Sequence, residues 1–444
     1  MPLDTSLELP KVIELEPTLT CNLRCRMCHV SFMPDEPRPA LSAELIDKLA
    51  SLRGVYVILG SGFEPMMNRQ FATIVRKLTS LDAKIELITN GTLLSDDNMS
   101  ALLDADVNIF QFSFDGIRPD TYEHIRRNSK YSSTIDAICA VRQRFAGRST
   151  LFSVNSTMMK RNMPEVDEII DFWDRADFDR VLFLFMVVRQ NEPELIRESL
   201  YPVRSKFYEL LDRAAENLIV NRRKIIMGNP WFYKSSLKSR FPNNVRDGLV
   251  FSDNPATRVT PAPRQDFQLG AGPGMSFPCK SPWTFARIMA NGDVQLCYQF
   301  TVGNLRDSAF EDIWFGDEAN AVRARVAQEI KLCQSCDYYR FCLKSRDLDC
   351  DDPKSYFQGD LLRGLDTVDF EAGTMRVDDV RAPELIESIG AFNIVRFRGS
   401  YLGVPQNLGP LDLASVRYED LPGLIVSSNL RETRRAIKAS TGSG

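Results

Sequence analysis

The sequence lacks the features that place proteins in a membrane, on nucleic acid or outside the cell. Its 444 residues contain no apolar run long enough to span a bilayer. The formal net charge is −4, so the chain has no basic excess of the kind that nucleic-acid-binding proteins carry. The N-terminus shows no basic segment followed by an apolar one, which excludes the pattern of a secretion signal. We therefore expect a soluble protein of the reducing cytoplasm.

Against this ordinary background the chain contains ten cysteines, which indicate metal or redox chemistry rather than disulfides in a protein without a secretion signal. Cys21, Cys25 and Cys28 have the spacing C-x-x-x-C-x-x-C and follow a strand-like run at 11–16. Soft sulfur ligands select iron–sulfur clusters, zinc or copper(I). A four-iron cluster needs a ligand on every iron, so three cysteines leave one iron for a ligand that is not protein.

Two simpler interpretations of this triplet are a zinc site and a set of free thiols. His29 adjoins Cys28, which makes a Cys3His zinc site conceivable. Adjacent residues rarely point at one ion, however, and the sequence shows no second zinc half-site with a short spacing nearby. The triplet therefore favours an iron–sulfur cluster.

The triplet resembles the signature of the radical S-adenosylmethionine (SAM) superfamily, in which it follows the first strand of a partial (β/α) barrel. The resemblance implies that the fourth iron of a 4Fe–4S cluster chelates the amino and carboxylate groups of SAM. It also implies reductive cleavage of SAM to a 5′-deoxyadenosyl radical, which takes hydrogen from the substrate. Met27 stands where the family usually has an aromatic residue, and it keeps an apolar contact there.

Strand-like and helical patterns alternate along the first half of the chain, which predicts parallel strands with right-handed crossovers. Six strand–helix units predict an α/β fold, an open partial (β/α)6 TIM-like barrel. In barrels the chemistry lies at the carboxyl ends of the strands. The predicted strands cover residues 11–16, 54–59, 84–89, 107–114, 151–157 and 180–188, and the predicted helices cover 41–52, 71–81, 95–103, 132–145, 164–175 and 193–225.

Motifs at the predicted strand ends resemble those with which the family holds SAM. Residues 60–65, Gly-Ser-Gly-Phe-Glu-Pro, resemble its Gly-Gly-Glu-Pro stretch, which presents backbone groups to the methionyl amino group. Ser113 and Asp115 resemble its fourth-strand Ser-x-Asp-Gly, and Arg126 resembles the arginine whose planar fork pairs with the cofactor carboxylate. The alternative for Arg126 is a solvated helix residue. The cofactor-binding residues so implied are Met27, Gly60, Gly62, Glu64, Pro65, Asn90, Ser113, Asp115 and Arg126.

A second set of cysteines follows a stretch rich in asparagine, proline and glycine. It resembles the SPASM extension of radical SAM enzymes, which carries auxiliary 4Fe–4S clusters, and a zinc ribbon is the alternative. We expect at least one auxiliary cluster. The metal-ligating residues of this set are Cys279, Cys297, Cys333, Cys336, Cys342 and Cys350.

The ligands of the auxiliary cluster stay open, because six cysteines cannot fully ligate two four-iron clusters. One arrangement uses the cysteines from 333 to 350, and the other uses Cys279, Cys297 and the pair at 333 and 336. Arg346 stands where the two-cluster version of the family has a further cysteine. Tyr298 stands where the sulfatase-maturing members have an acidic base, so that activity is not expected.

We expect a radical SAM barrel at 1–225, a crossover at 226–274, a SPASM-type iron–sulfur domain at 275–355 and a small appended α+β domain at 356–444. The resemblance implies hydrogen abstraction from a peptide substrate, followed by oxidation, cross-linking or epimerisation. A carbohydrate dehydrogenase or epimerase is the alternative, and a non-catalytic iron–sulfur or zinc protein that binds a partner is the alternative from another class. A flavodoxin or ferredoxin is the expected electron donor.

Overall fold

The structure, a computed structural model, falls into two compact units, formed by residues 1–186 with 200–328 and by residues 187–199 with 329–444. No helix within the described part of the chain is both long and apolar enough to cross a bilayer. The structure describes residues 7–33, 37–186, 193–229, 232, 235–246, 248–258, 281–296, 300–328, 368–369, 371–375, 383–397, 400–409, 413, 421–427 and 430–440.

One sheet of twelve strands organises the first unit, and β1 lies inside it rather than at an edge. The strands are β1 Val12–Leu15, β2 Tyr56–Leu59, β3 Lys84–Thr89, β4 Ile109–Ser113, β5 Leu151–Met158, β6 Arg180–Phe185, β7 Ile226–Gly228, β8 Val245–Arg246, β9 Leu249–Val250, β10 Phe285–Ile288, β11 Asp293–Leu296 and β12 Phe300–Asn304. Their order is β12-β11-β10-β1-β2-β3-β4-β5-β6-β7-β9-β8.

The six predicted barrel strands are present and pair in parallel from β1 to β6. The sheet is open, as expected for a partial barrel. Two further parallel strands extend it: β7 beside β6, and β10 beside β1. The segment at 226–274, predicted as a crossover, thus contributes β7, β8 and β9 to the sheet, and β10 of the second cysteine region pairs directly with the first barrel strand.

Most helices between the barrel strands lie close to their predicted bounds, but the helix predicted over 193–225 is divided into segments at 193–198, 201–203 and 204–220. Residues 43–49 form a 3₁₀ helix in which the Ser42 side chain accepts a hydrogen bond from the Glu44 amide, the expected N-cap. The α-helices of the first unit as far as residue 240 are α1 Phe71–Ser80, α2 Asp96–Asp104, α3 Pro119–Ile125, α4 Tyr131–Arg144, α5 Val166–Arg175, α7 Arg204–Val220 and α8 Leu237–Arg240, whereas α6 Pro193–Glu198 belongs to the second unit.

The sequence predicts one helix over residues 309–330, and the structure breaks it. The short helix α9 Ser281–Thr284 precedes β10, and α10 Phe310–Phe315 and α11 Asp317–Gln328 replace one continuous helix. Gly316 separates these two in an extended conformation, with φ −67° and ψ 168°. A glycine interrupts a helical run more readily than other residues, since it loses more backbone entropy there.

The barrel sheet separates an aromatic outer layer from a polar interior. Phe110 and Phe112 of β4 pack outward, where Phe110 meets Phe145 in an edge contact. The alternate residue Gln111 faces the interior, where its side chain donates to Glu86 and accepts from Asn155 at 2.8 Å. Side chains alternate across a strand, so Glu86, Gln111 and Asn155 all face the barrel interior. The apolar pattern of these strands did not indicate such a polar group.

The second unit contains a small antiparallel sheet of four strands. The sequence at 393–404 predicts two short strands, and both are present: β16 Phe392–Phe397 pairs with β17 Ser400–Pro405. The final helix, α12 Leu430–Ser440, contacts β17 and β18. The other strands of this unit are β13 Val368–Asp369, β14 Thr374–Met375, β15 Glu384–Ile389 and β18 Ile425–Ser427.

Candidate active site

The three clustered cysteines lie in an irregular loop that follows β1. Backbone hydrogen bonds hold this loop against the end of α3: the Arg24 amide donates to the Arg127 carbonyl at 3.1 Å, and the Arg26 amide donates to the Ile125 carbonyl at 2.9 Å. Within the loop, the Cys28 amide donates to the Cys25 carbonyl at 3.0 Å. The loop is thus fixed by its backbone, which leaves the three thiols available as ligands.

The thiols differ in burial. Cys25 is 7% exposed, whereas Cys21 and Cys28 are half-buried, and all three are free of disulfides. Burial raises the pKa of the Cys25 thiol to about 12, and the charge of Arg126 opposes that rise. Burial also raises the pKa of Cys21. A bound metal offsets such a penalty, because coordination favours the thiolate.

The donor set fits a cluster better than a single metal ion. Across the residues that the structure describes, no three His, Cys, Asp or Glu side chains come close enough to share one ion. His29 Nδ1 lies 3.9 Å from Cys28 Sγ, and the two residues do not converge with the other cysteines on one ion. Three cysteines on a short loop suit three irons of a cubane, whose ligands lie further apart.

Two side chains from other strands reach the thiols. Asn90 Nδ2, at the end of β3, lies 3.8 Å from Cys21 Sγ and donates to Asn22 Oδ1 at 2.9 Å. Arg126 Nη1, at the end of α3, lies 3.9 Å from Cys25 Sγ. Hydrogen bonds and a positive charge beside sulfur ligands stabilise thiolates and tune a cluster.

Arg126 is buried, so the alternative of a solvated helix residue is wrong. Its Nη2 forms an ion pair with Asp115 Oδ2 at 2.7 Å, and both side chains are almost fully enclosed. Asp115 in turn accepts a hydrogen bond from the Thr157 amide at 2.6 Å. Arg126 Nε is buried without a hydrogen-bond partner among the described residues, so this side chain retains a donor for a ligand. Ser113 lies half-exposed at the end of β4.

The loop at 60–65 begins with a backbone conformation that favours glycine. Gly60 has φ +77°, and a Cβ there would lie 2.7 Å from the Pro65 ring. Glu64 closes the loop by accepting hydrogen bonds from Thr89 Oγ1 at 2.9 Å and from the Asn90 amide at 2.8 Å. Burial raises the pKa of Glu64 to about 7, while these hydrogen bonds oppose the rise. Glu64 therefore ties the end of β2 to the end of β3.

A second buried cluster beside this loop was not predicted. Glu14 and Glu16 of β1 are fully buried, and both form ion pairs with Arg287 of β10, at 2.8 and 2.9 Å. Glu16 Oε1 also accepts hydrogen bonds from the amides of Ser61 and Gly62. The available signal was two glutamates at alternate positions of an otherwise apolar strand, which places both on one face.

The auxiliary cysteines lie outside the described residues, so the structure adds nothing on their arrangement. The same holds for Tyr298 and Arg346. The structure describes all the residues that were predicted to contact SAM. They lie on one edge of the barrel, at the carboxyl ends of β1 to β4. They are Met27, Gly60, Gly62, Glu64, Pro65, Asn90, Ser113, Asp115 and, through its ion pair, Arg126.

Two family models match the chain in the regions that the two cysteine sets define. The model described as the radical SAM superfamily matches residues 15–173, and an iron–sulfur cluster-binding domain model, SPASM, matches residues 279–337. The chain belongs to the radical SAM superfamily and carries a SPASM domain. Proteins with these two domains use SAM and 4Fe–4S clusters, and the donor set of this radical SAM protein fits that chemistry.

Curated relatives of this radical SAM protein resemble it over three quarters of its length. An AdoMet-dependent heme synthase of Methanosarcina barkeri is 24% identical over 76% of this chain and 91% of its own. A PqqA peptide cyclase of Rhizobium meliloti is 24% identical over 76% of this chain and 83% of its own. Among solved structures, SuiB of Streptococcus suis bound to the precursor peptide SuiA has a TM-score of 0.51 at 16% identity, covering 80% of this chain and 76% of SuiB. The last comparison shows the fold alone.

Proposed function

We propose that this radical SAM enzyme holds a 4Fe–4S cluster with Cys21, Cys25 and Cys28 and removes a hydrogen atom from a peptide substrate. When bound, the cluster and SAM supply the reductive cleavage of SAM and the radical that abstracts hydrogen. The observation that carries the proposal is the three-thiol loop at the end of β1, with Arg126 and Asn90 beside the sulfurs.

The residues around this loop suit SAM. Gly60 takes a backbone conformation that favours glycine, Gly62 is half-buried, and Glu64 fixes the end of the 60–65 loop. The ion pair with Asp115 stabilises the positive charge of Arg126. Its Nε has no hydrogen-bond partner among the described residues and can donate to the cofactor carboxylate. Arginine suits this role because its planar group donates along several directions at once. Met27 and Ser113, both half-exposed, complete the proposed site together with Asn90 and Pro65.

Partly exposed side chains on β5 and β6 support a substrate position inside the barrel. Leu184 of β6 is 40% exposed although it lies on a strand inside the sheet. Asn155 and Leu182, which are paired positions of β5 and β6, are also half-exposed. Such exposure on inward-facing positions supports a solvent-filled interior, into which a peptide side chain can enter from the open edge.

Similarity to the PqqA peptide cyclase supports the peptide assignment. An iron tetrapyrrole is the second candidate substrate, since the AdoMet-dependent heme synthase is equally similar and matches over more of its own length. The carbohydrate alternative, the flavodoxin or ferredoxin donor, the auxiliary cluster ligands and the four-part domain division stay predictions.

Anaerobic reconstitution tests the cluster assignment. The protein is loaded with iron and sulfide, reduced with dithionite and incubated with SAM, and 5′-deoxyadenosine is measured by chromatography. We expect wild-type protein to release 5′-deoxyadenosine and Cys25→Ala to release none, because one iron loses its protein ligand. Cys139→Ala is the matched control, since Cys139 is a half-buried cysteine on α4 outside the loop. Equal release by Cys25→Ala and wild type would refute the proposal.

Deuterium transfer tests the substrate class. Cells grown in D₂O supply a deuterated extract, and mass spectrometry measures deuterium in the 5′-deoxyadenosine that the enzyme releases. A peptide substrate predicts deuterium transfer that disappears when the extract is first digested with a broad protease. Transfer that survives digestion, together with stimulation of 5′-deoxyadenosine release by an added iron porphyrin, would instead establish the tetrapyrrole candidate.

A further inference from the structure

We infer that Glu14, Glu16 and Arg287 act together as positioning residues for the 60–65 loop, so that a strand of the iron–sulfur domain sets the affinity for SAM. These three side chains are called the β1–β10 cluster below. The inference rests on the proposed function, in which the 60–65 loop binds SAM. It assigns to the SPASM domain a role that does not depend on the auxiliary cluster.

Glu16 is the centre of the β1–β10 cluster. One of its oxygens, Oε1, accepts four hydrogen bonds: from the Gly62 amide at 2.8 Å, the Ser61 amide at 3.2 Å, Ser61 Oγ at 2.9 Å and Arg287 Nη2 at 2.9 Å. Consecutive amides that converge on one carboxylate fix the course of a loop, because backbone donors cannot turn away independently.

Glu14 and Arg287 complete the arrangement. Ser61 Oγ also lies 2.5 Å from Glu14 Oε1, and Arg287 Nε lies 2.8 Å from that same oxygen. Arg287 therefore bridges the two carboxylates that hold Ser61. Since Arg287 is opposite Glu14 in the parallel pairing of β10 with β1, the strand register delivers the guanidinium to this place.

The contact between the loop and Glu16 is close. A Cβ on Gly62 would lie 3.3 Å from Glu16 Oε1 and 3.6 Å from Arg287 Nη2. That distance to Oε1 is tighter than an ordinary van der Waals contact. The loop backbone thus rests directly on the carboxylate, and a displacement of Glu16 moves the loop with it.

The charges explain why Arg287 is needed. Burial raises the pKa of Glu16, the nearby charge of Glu14 raises it further, and Arg287 opposes both effects. Without Arg287, Glu16 loses the charge that opposes its burial and the repulsion from Glu14, and it takes up a proton or moves. Either change removes an acceptor from the amides of the 60–65 loop.

Arg287 lies within residues 279–337, the part of the chain that matches the iron–sulfur domain model. Its partners on β1 directly precede the cysteine loop. The β1–β10 cluster is therefore a physical route by which the second domain supports SAM binding. Removing the cluster is expected to weaken SAM binding about tenfold or more, as loss of a supporting hydrogen-bond partner does in metal sites.

The test compares SAM dissociation constants of the full-length, cluster-loaded protein, measured by anaerobic equilibrium binding without reductant, with iron content measured in parallel. We expect Arg287→Ala and Glu16→Ala to raise the dissociation constant for SAM about tenfold or more, and Arg287→Lys and Glu16→Gln to raise it less. Iron per chain stays at the wild-type value, because the three cysteines are untouched. In turnover, KM for SAM rises more than kcat falls.

Arg223→Ala is the matched control. Arg223 also bridges two carboxylates, Asp171 and Asp174, at 2.7 and 2.6 Å, and it is partly buried. Both carboxylates belong to α5, away from the 60–65 loop. The loss of Arg223 is therefore expected to leave SAM affinity unchanged.

Wild-type affinity in Arg287→Ala and Glu16→Ala overturns the inference while leaving the proposed function intact. If Arg287→Ala does not fold, Arg287→Lys and Glu16→Gln decide the question. The inference is also overturned if Arg287→Lys and Glu16→Gln lose iron and SAM affinity together. That result is expected of residues that only maintain the fold around the cluster. Failure of the wild-type protein to bind SAM refutes the proposed function itself, which separates the two outcomes.

Discussion

Two enclosed arginines pair with carboxylates of the barrel: Arg126 is buried, Arg287 is half-buried, and they are neutralised differently. Arg126, beside the cysteine loop, faces the single carboxylate of Asp115. Arg287, beside the 60–65 loop, faces the two carboxylates of Glu14 and Glu16. The two arginines therefore differ in the number of carboxylates that they pair with, one for Arg126 and two for Arg287.

The two sites also differ in how the chain builds them. Asp115 and Arg126 flank one helix of the barrel, so a single strand–helix unit brings them together. Arg287 and Glu16 are 271 residues apart and meet only because β10 pairs with β1. Local geometry supports the cysteine loop, and a long-range strand pairing supports the glycine-rich loop.

The largest effect is expected when the ion pair of Arg126 with Asp115 is broken. Asp115→Asn leaves Arg126 as a buried cation without a partner, which lowers the free energy of unfolding by about 3–5 kcal/mol. Glu14→Gln is the counterpart, and a smaller loss is expected there because Arg287 keeps its ion pair with Glu16. Anaerobic urea denaturation followed by circular dichroism measures both. Equal losses in the two variants would contradict the comparison.

A third carboxylate sharpens the comparison, since Glu64 is buried with neutral hydrogen-bond donors and without an ion pair among the described residues. Its pKa rises from 4.5 to about 7 on folding. Between those values the folded protein binds more protons than the unfolded chain, so the free energy of unfolding falls as the pH rises.

Glu64→Gln removes that dependence. The stability difference between wild type and Glu64→Gln is expected to fall by roughly 2–3 kcal/mol from pH 5 to pH 8. Urea denaturation at closely spaced pH values checks it, and comparison of the two proteins at each pH cancels effects common to both. A constant difference would mean that the hydrogen bonds keep Glu64 ionised throughout this range.

A smaller effect is expected from the backbone of the 60–65 loop. Gly60→Ala adds a methyl group 2.7 Å from the Pro65 ring at φ +77°, and we expect a loss of about 2 kcal/mol. Gly54→Ala is the control, because Gly54 has φ +70° with nothing within 4 Å of the added carbon. In Gly54→Ala only the positive φ is unfavourable, so the free energy of unfolding is expected to fall by about 1 kcal/mol. Thermal denaturation of both proteins tests the order, and an equal loss would exclude the contact with Pro65.

The smallest effect is expected from an arginine outside these buried sites. Arg223 bridges Asp171 and Asp174, but water reaches this group, and the Asp171 side chain is about half-exposed. Arg223→Ala is therefore expected to cost at most about 1 kcal/mol. Urea denaturation in low and in high salt measures the loss and its screening. A loss as large as that of Asp115→Asn would mean that burial is not what distinguishes the sites.

The parts of the structure that the sequence predicted well depend on local pattern. The strand Lys84–Thr89 has its predicted bounds, because apolar alternation and the following Asn-Gly turn are readable within a few residues. The cysteine triplet and Arg126 were found in the same way, as motifs with fixed spacing. Here the periodic pattern and the tertiary structure agree.

What the sequence could not predict depends on pairing between distant segments. Nothing in the pattern around Arg287 indicates that its strand lies beside β1, so its ion pairs with Glu14 and Glu16 were missed. The ion pair of Arg126 with Asp115 was missed for another reason, since both residues were assigned to the cofactor separately. The break at Gly316 was missed because the apolar spacing continues across it.

The position of β1 between β2 and β10 has a consequence for synthesis of the protein. The ribosome releases β1 early, whereas β10 follows only after most of the barrel has been made. Until then the strand that leads into the cysteine loop has one unpaired edge, which is a site for aggregation in a nascent chain. A chain that ends before residue 285 keeps that edge open permanently, even though its cysteine motif is intact.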